Sequence, residues 1–163
     1  DWAFDGGAMF SLFTTSNGLY ATGERTVRLD EALQPSPLAD VLRAGVEAEQ
    51  QVFAATAEGV GRLRDGGFRL EQRSPPVNAM TAGRSVVAVG DRGLMLERRD
   101  GGWVDPTPTS TRSDLVALFE RQSGLFALTA ECELLERAST PERRTDVAIR
   151  LCNALGIPCA GGN

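Results

Sequence analysis

Seventeen arginines, twenty-two acidic residues, one tyrosine and no histidine or lysine set the chemistry open to this 163-residue chain. Paired carboxylates beside arginines and a nucleophile are the components of glycoside hydrolysis. Tyr20 is the only phenol able to supply a tyrosine nucleophile, and it lies next to a turn in the strand-like run SLFTTSNGLY (11–20), where an aromatic ordinarily packs. The absence of histidine removes every Ser-His-Asp or Cys-His arrangement and every His-ligated metal site. The absence of lysine removes Schiff-base and lysine general-base chemistry. GDRGLM at Gly90 lacks the Gly-Lys-Ser/Thr of a phosphate loop. No cofactor and no catalytic or metal site are expected. The three cysteines, Cys132, Cys152 and Cys159, include no close CxxC and make a zinc site improbable. A bridge between Cys152 and Cys159, one between Cys132 and Cys159, or three unreactive thiols all fit the spacing.

The net charge of −5 and pI near 4.8 argue against a general nucleic-acid binder, which carries a basic face. A hydrophobic content of 42% with 24% charged residues is that of a globular chain with a buried core. No run reaches the roughly 18 apolar residues that cross a bilayer. The chain has no starting Met and no signal pattern at Asp1, and reads as processed or as a piece of something longer.

The elements that would position any site repeat along the chain. VFAATAEGVGRLRDGGF (52–68) aligns with VVAVGDRGLMLERRDGGW (86–103): an apolar run, a turn ending in Gly59 or Gly93, an alternating strand, then Asp-Gly-Gly and an aromatic. Asp-Gly favours a tight hairpin, because glycine takes positive φ without steric cost. SLFTTSNGLY (11–20) and LFALTAECELL (125–135) are weaker copies, with Gly18 and Cys132 at the turn. A further strand precedes each copy, at WAF, LRAG, VNAM and LVAL, carrying Ala3, Ala44, Ala79 and Ala117. A small residue recurring there suits a crowded inner strand. SPLADVLRAG (36–45) also admits a short helix, and the prolines at 35–37 and 106–108 mark links between units. Four strands in about 40 residues is the period of a propeller blade. The expected fold is mostly β, with about four antiparallel blades over residues 1–138, in a closed four-bladed ring or, by slight preference, an incomplete one. The fourth unit lacks its outermost strand. Residues 139–163 form a C-terminal helix and tail: Thr140 caps, Pro141 opens, and Gly156 closes a helix to Leu155.

AVGDRGLMLERRDGGW (88–103) resembles the blade pattern of bacterial BNR/Asp-box-like and Ycf48-like propellers, in which AVG-x-x-G precedes a strand and a dGG-x-W turn. RRDGGW and RLRDGGF lack the Ser and Thr of a full Asp box, so the match is degenerate. The resemblance covers about Ser11 to Leu135, and its motif residues shape turns. It implies a periplasmic or extracellular bacterial protein that binds a partner, assists assembly or binds carbohydrate. The expected function is a non-catalytic binding or assembly module of the cell envelope. Its candidate rim is Asn17, Glu58, Asp91, Arg92 and Glu131, with Asp65 and Asp100 on the opposite rim. The alternatives are a structural subunit of a large membrane-associated complex and a sialidase- or glycosidase-like propeller built on Tyr20. Trp2 and Trp103 read as packing residues.

Overall fold

The computed structural model describes residues 9–30, 35–64, 67–105, 111–121 and 124–136. These are mostly β, in four antiparallel sheets in which each strand pairs with its sequence neighbour. Sheet I comprises β1 (Met9–Thr15), β2 (Gly18–Gly23), β3 (Thr26–Leu29) and β4 (Pro35–Leu38). Sheet II comprises β5 (Ala44–Ala48), β6 (Gln51–Thr56), β7 (Gly59–Arg64) and β8 (Gly67–Arg73). Sheet III comprises β9 (Val77–Ala82), β10 (Val86–Gly90), β11 (Met95–Arg99) and β12 (Gly102–Val104). Sheet IV comprises β13 (Leu115–Arg121), β14 (Gly124–Thr129) and β15 (Leu134–Glu136), so its described part has three strands.

The two-residue period of a strand gives each sheet two faces, and here both are apolar. Burial therefore requires the sheets to stack, and three cores lie at the three junctions. Tyr20 and Phe13 of sheet I meet Val52, Ala54 and Leu63 of sheet II. Ala55 and Val60 of sheet II meet Val77, Ala88 and Leu96 of sheet III. Val89 of sheet III meets Leu115 and Ala127 of sheet IV. The first strands adjoin in the order β1, β5, β9, β13, and no contact of similar extent carries β13 back to β1 among the described residues.

One ladder register runs through all four sheets. Ser11, Ala44, Ala79 and Ala117 hold the same place in their first strands and face the following sheet. The next position, Leu12, Gly45, Met80 and Leu118, faces the preceding sheet and pairs each time with an alanine: Ala21, Ala54, Ala88 and Ala127. The position after that faces forward again, with the pairs Phe13–Tyr20, Val46–Phe53, Thr81–Val87 and Phe119–Phe126. The small residue expected on the inner strand is thus present at Ala44, Ala79 and Ala117. In sheet I it is Ser11 on β1, and Ala3 lies outside the described residues.

Three expectations change. Asn17-Gly18 joins the first and second strands of sheet I, whereas Gly59, Gly93 and Cys132 stand between second and third strands. The first copy is therefore displaced by one strand, and its true counterpart of Phe53-Ala54 is Tyr20-Ala21. Turn chemistry misled because both kinds of connection are tight: Gly18 and Gly59 each adopt positive φ (131° and 147°). Second, SPLADVLRAG contains no helix; Pro35–Leu38 is the outer strand of sheet I and β5 begins at Ala44. Third, Pro35 and Pro37 lie within that edge strand, where one side of the ladder needs no donor. The expected turn at Asp65, the prolines at 106–108, the helix at 141–155 and the bridge between Cys152 and Cys159 fall outside the described residues. The reading of Cys132 as a substitute for a turn glycine agrees with its φ of 67°, and Cys132 is an exposed free thiol.

Gly45 shows how tightly the junctions are set. A Cβ at this position would lie 2.4–2.8 Å from the tip of the Phe13 ring, which is stacked on Tyr20 at a centroid distance of 4.8 Å. Gly45→Ala is expected to destabilise the protein by about 1–3 kcal/mol through overpacking. At about 2–4 °C per kcal/mol for a domain of this size, thermal unfolding resolves the change. Phe13→Leu in the Gly45→Ala background recovers part of the loss, and a double-mutant cycle that shows simple additivity would contradict the contact.

Candidate functional site

The turns between second and third strands lie at one end of the stack, together with the segments that lead into each first strand. Four of the five expected rim residues are here. Glu58 tops the β6–β7 turn, Asp91 and Arg92 the 3-10 turn Asp91–Gly93, and Glu131 the β14–β15 turn. Asn17 is at the other end, on the β1–β2 turn, for the register reason given above.

Hydrogen bonds fix the backbone of this rim. Arg43, just before β5, donates Nε to the Val77 carbonyl at 3.0 Å and Nη2 to Asn78 Oδ1 at 2.7 Å. Asn78 Nδ2 in turn donates to Asp91 Oδ1 at 2.8 Å and to the Leu115 carbonyl at 3.2 Å. One polar chain therefore crosses two junctions and links sheets II, III and IV. The amide of Arg92, a residue at positive φ (59°), donates to Asp114 Oδ1 at 2.9 Å. The β14–β15 turn is closed by Glu133, whose amide donates to Thr129 Oγ1 at 3.0 Å. Glu58 pairs with Arg73 at 3.3 Å, but both side chains are largely exposed and the pair contributes little. Asp91 is half-buried and engaged. Glu58, Arg92 and Glu131 are exposed on strand ends whose geometry is set from beneath.

The opposite end carries a polar cleft of about 380 Å³ between sheets II and III, lined in part by Gln51, Phe53, Arg62, Arg84, Arg98 and Asp100. Beneath it is a node that the sequence reading missed. Glu71 of β8 accepts from Arg62 Nε, from Arg98 Nη1 at 2.8 Å and from the Trp103 indole Nε1 at 3.0 Å. The Arg98 guanidinium sits 4.6 Å from the centroid of Phe53, and Phe53 meets Trp103 edge-on at 6.0 Å. Burial pushes the Glu71 carboxyl up, but donation by Trp103 and Arg62 and the charges of Arg98 and Arg62 outweigh it. The carboxyl is held below its ordinary value. The aromatic after Asp-Gly-Gly was the available signal: Phe68 and Trp103 share a ladder place, and both pack back onto the preceding sheet. Asp100 and Gly101 form the expected tight turn at this end, both with positive φ.

Two further ties stand at the same end. Ser16 donates its amide and its Oγ (2.6 Å) to Glu47 of the following sheet, and these bonds hold the exposed Glu47 carboxyl below its ordinary value. The Arg84 amide reaches Glu120 at the equivalent place between sheets III and IV. Tyr20 is 4% exposed and stacked on Phe13, so its phenol serves the core of the first junction. Among the described residues no cluster of three His, Cys, Asp or Glu could hold a metal ion, and no helix is long and apolar enough to cross a membrane. No protein-family model and no curated protein matches the chain.

Glu71→Gln leaves Arg62 and Arg98 without their counter-charge. The expected loss is about 2–3 kcal/mol in chemical denaturation, below the roughly 3–5 kcal/mol of a fully buried pair because these side chains stay 13–26% exposed. The pH dependence follows from the lowered carboxyl. Its contribution is complete above the ordinary glutamate value of 4.5 and is lost as pH falls through the lower folded value. The native protein should therefore lose stability more steeply on the acid side of pH 5 than Glu71→Gln does. Parallel acid limbs in the two proteins would contradict this assignment.

Proposed function

We propose that this chain is a non-catalytic binding or assembly module built on propeller-type blades, which presents the turns at 57–58, 91–93 and 130–132 to a protein partner. The supporting observation is the rim itself. Successive sheets hold exposed Glu58, Arg92 and Glu131 on turns tied by hydrogen bonds of their own (the Ser74 amide to the Glu58 carbonyl, the Arg92 amide to the Asp114 carboxylate and the Ala130 amide to the Asp114 carbonyl) beside the Arg43–Asn78–Asp91 chain, as suits recognition by a rigid, charged surface. The blade reading rests on the repeated four-strand meander and on the shared ladder register. Placement in a bacterial envelope rests on the resemblance of residues 88–103 to the propeller repeats named above.

The glycosidase-type alternative loses the residue it was built on, since Tyr20 is buried against Phe13. The alternative of a subunit in a larger complex gains from the exposed apolar side chains Leu12 on sheet I and Val116 and Phe119 on sheet IV.

The test is capture from native envelope extracts on the immobilised protein. Glu58→Arg, Arg92→Glu and Glu131→Arg combined should lose a partner that the parent retains, while Asn17→Arg, at the other end, retains it. Each change lies on an exposed turn, so thermal stability should stay within about 0.5 kcal/mol per site. Equal recovery on all three surfaces, or no partner on the parent, would overturn the reading.

A further inference from the structure

The cleft between sheets II and III has a floor whose charges are paired and a mouth whose charges are not. On the floor, Arg62 and Arg98 both donate to Glu71. Arg62 also donates to Gln51 Oε1 at 2.9 Å, and Arg98 to the Gly101 carbonyl at 2.9 Å. Three tight connections meet at the mouth: the β5–β6 turn with Glu49, the β9–β10 turn with Arg84 and the β11–β12 turn with Asp100. Among the described residues the Arg84 guanidinium has no acceptor; its amide alone is engaged, donating to Glu120. The Glu49 and Asp100 carboxylates have no donor among the described residues. Charges of both signs therefore line one cleft of about 380 Å³ with no ion pair between them.

The turns do not account for these charges. Glu49 and Gln50 both take the left-handed region (φ 52° and 59°), as do Asp100 and Gly101 (49° and 80°). Two-residue turns of this kind favour Asn-Gly or Asp-Gly. Asp100-Gly101 conforms. Glu49-Gln50 does not, because neither residue has the short polar side chain that makes left-handed backbone tolerable. This hairpin would form more readily with asparagine at 49, so backbone geometry does not explain the glutamate.

We propose that the cleft binds a short zwitterionic peptide, of di- or tripeptide length, with its terminal carboxylate on Arg84 and its terminal ammonium between Glu49 and Asp100. Arg62, Arg84 and Arg98 balance Glu49, Glu71 and Asp100, which suits a ligand with no net charge and one charge at each end. A guanidinium presents paired donors that match a carboxylate, and an ammonium has donors enough to share between two carboxylates. At about 3.3–3.6 Å per extended residue, a short peptide sets its two charges far enough apart to reach separate turns. The cleft falls within the roughly 300–1,000 Å³ of ligand pockets. Apart from Phe53, Val86 and Gly101, every lining residue has a polar side chain, as the backbone groups of a peptide require. The cleft lies at the end of the stack opposite the rim, and the inference does not rest on the rim's role.

The test is titration of the isotope-labelled protein with triglycine, followed by amide chemical shifts. Saturable shifts should concentrate at 49–51, 84–86 and 98–101. N-acetyl-triglycine and triglycine amide each lack one charge and should bind at least about tenfold more weakly, the loss of one charged hydrogen bond. Arg84→Gln should remove the preference for triglycine over its amide. Glu49→Asn combined with Asp100→Asn should remove the preference over the acetylated form. The asparagines suit left-handed turn positions, so thermal stability should be kept or raised. Four results would each overturn the proposal: no saturable shifts at millimolar triglycine, blocked peptides that bind as tightly as triglycine, variants that keep the native preferences, or sodium acetate that shifts the same amides with equal affinity.

Discussion

A meander of three or four strands with apolar side chains on both faces cannot bury either face unaided. That constraint governs the rest of this structure. Hairpins and small sheets in water need a partner surface, and the partner here is always the next sheet in sequence. Within each meander the pairing is local and antiparallel. Between meanders it is the matched ladder register that makes one face fit another: a small residue at Ser11, Ala44, Ala79 and Ala117, then a residue turned back, then a pair turned forward. Gly45 marks the limit of the tolerance, since the Phe13 ring occupies the space of its missing side chain.

Polar groups follow the same logic. Several of those at the junctions are satisfied across them. Arg43 and Asn78 reach forward to carbonyls of the next first strand, and Glu47 and Glu120 receive amides from the turn of the preceding sheet. Glu71 gathers two arginines and an indole from two sheets into one node. Such bonds act less as sources of stability than as pins on register, because a one-residue slip would turn every apolar side chain to the wrong face and leave these groups unpaired. A rim built on pinned strand ends presents its charges at fixed spacing, which is what a recognition surface requires.

Much of this was legible before any coordinates. The alternation of apolar residues, the Asp100-Gly101 turn and the alanines at 44, 79 and 117 are short-range signals, and the described sheets carry them. The error fell where two local signals look alike. Asn17-Gly18 and Glu58-Gly59 both read as tight turns, and only long-range pairing shows that one follows a first strand and the other a second. The recurring Tyr20-Ala21, Phe53-Ala54, Val87-Ala88 and Phe126-Ala127, spaced 33, 34 and 39 residues apart, was the better ruler. It was masked because the aromatic place is filled once by valine. The Glu71 node left one trace in the sequence, the aromatic after Asp-Gly-Gly; its charged members come from β7, β8 and β11 and meet only when sheets II and III stack.

The account's central claim is that consecutive sheets pack forward face to rear face in one register. A nuclear Overhauser spectrum of the uniformly labelled protein tests it most directly. The claim predicts cross-peaks from the Phe13 ring to the Gly45 α-protons and from the Trp103 indole to the Phe53 ring, with the Gly45 α-protons shifted by the ring current of Phe13. Strong within-sheet cross-peaks, such as Phe13 to Tyr20, without any between Phe13 and Gly45 or between Trp103 and Phe53, would contradict it.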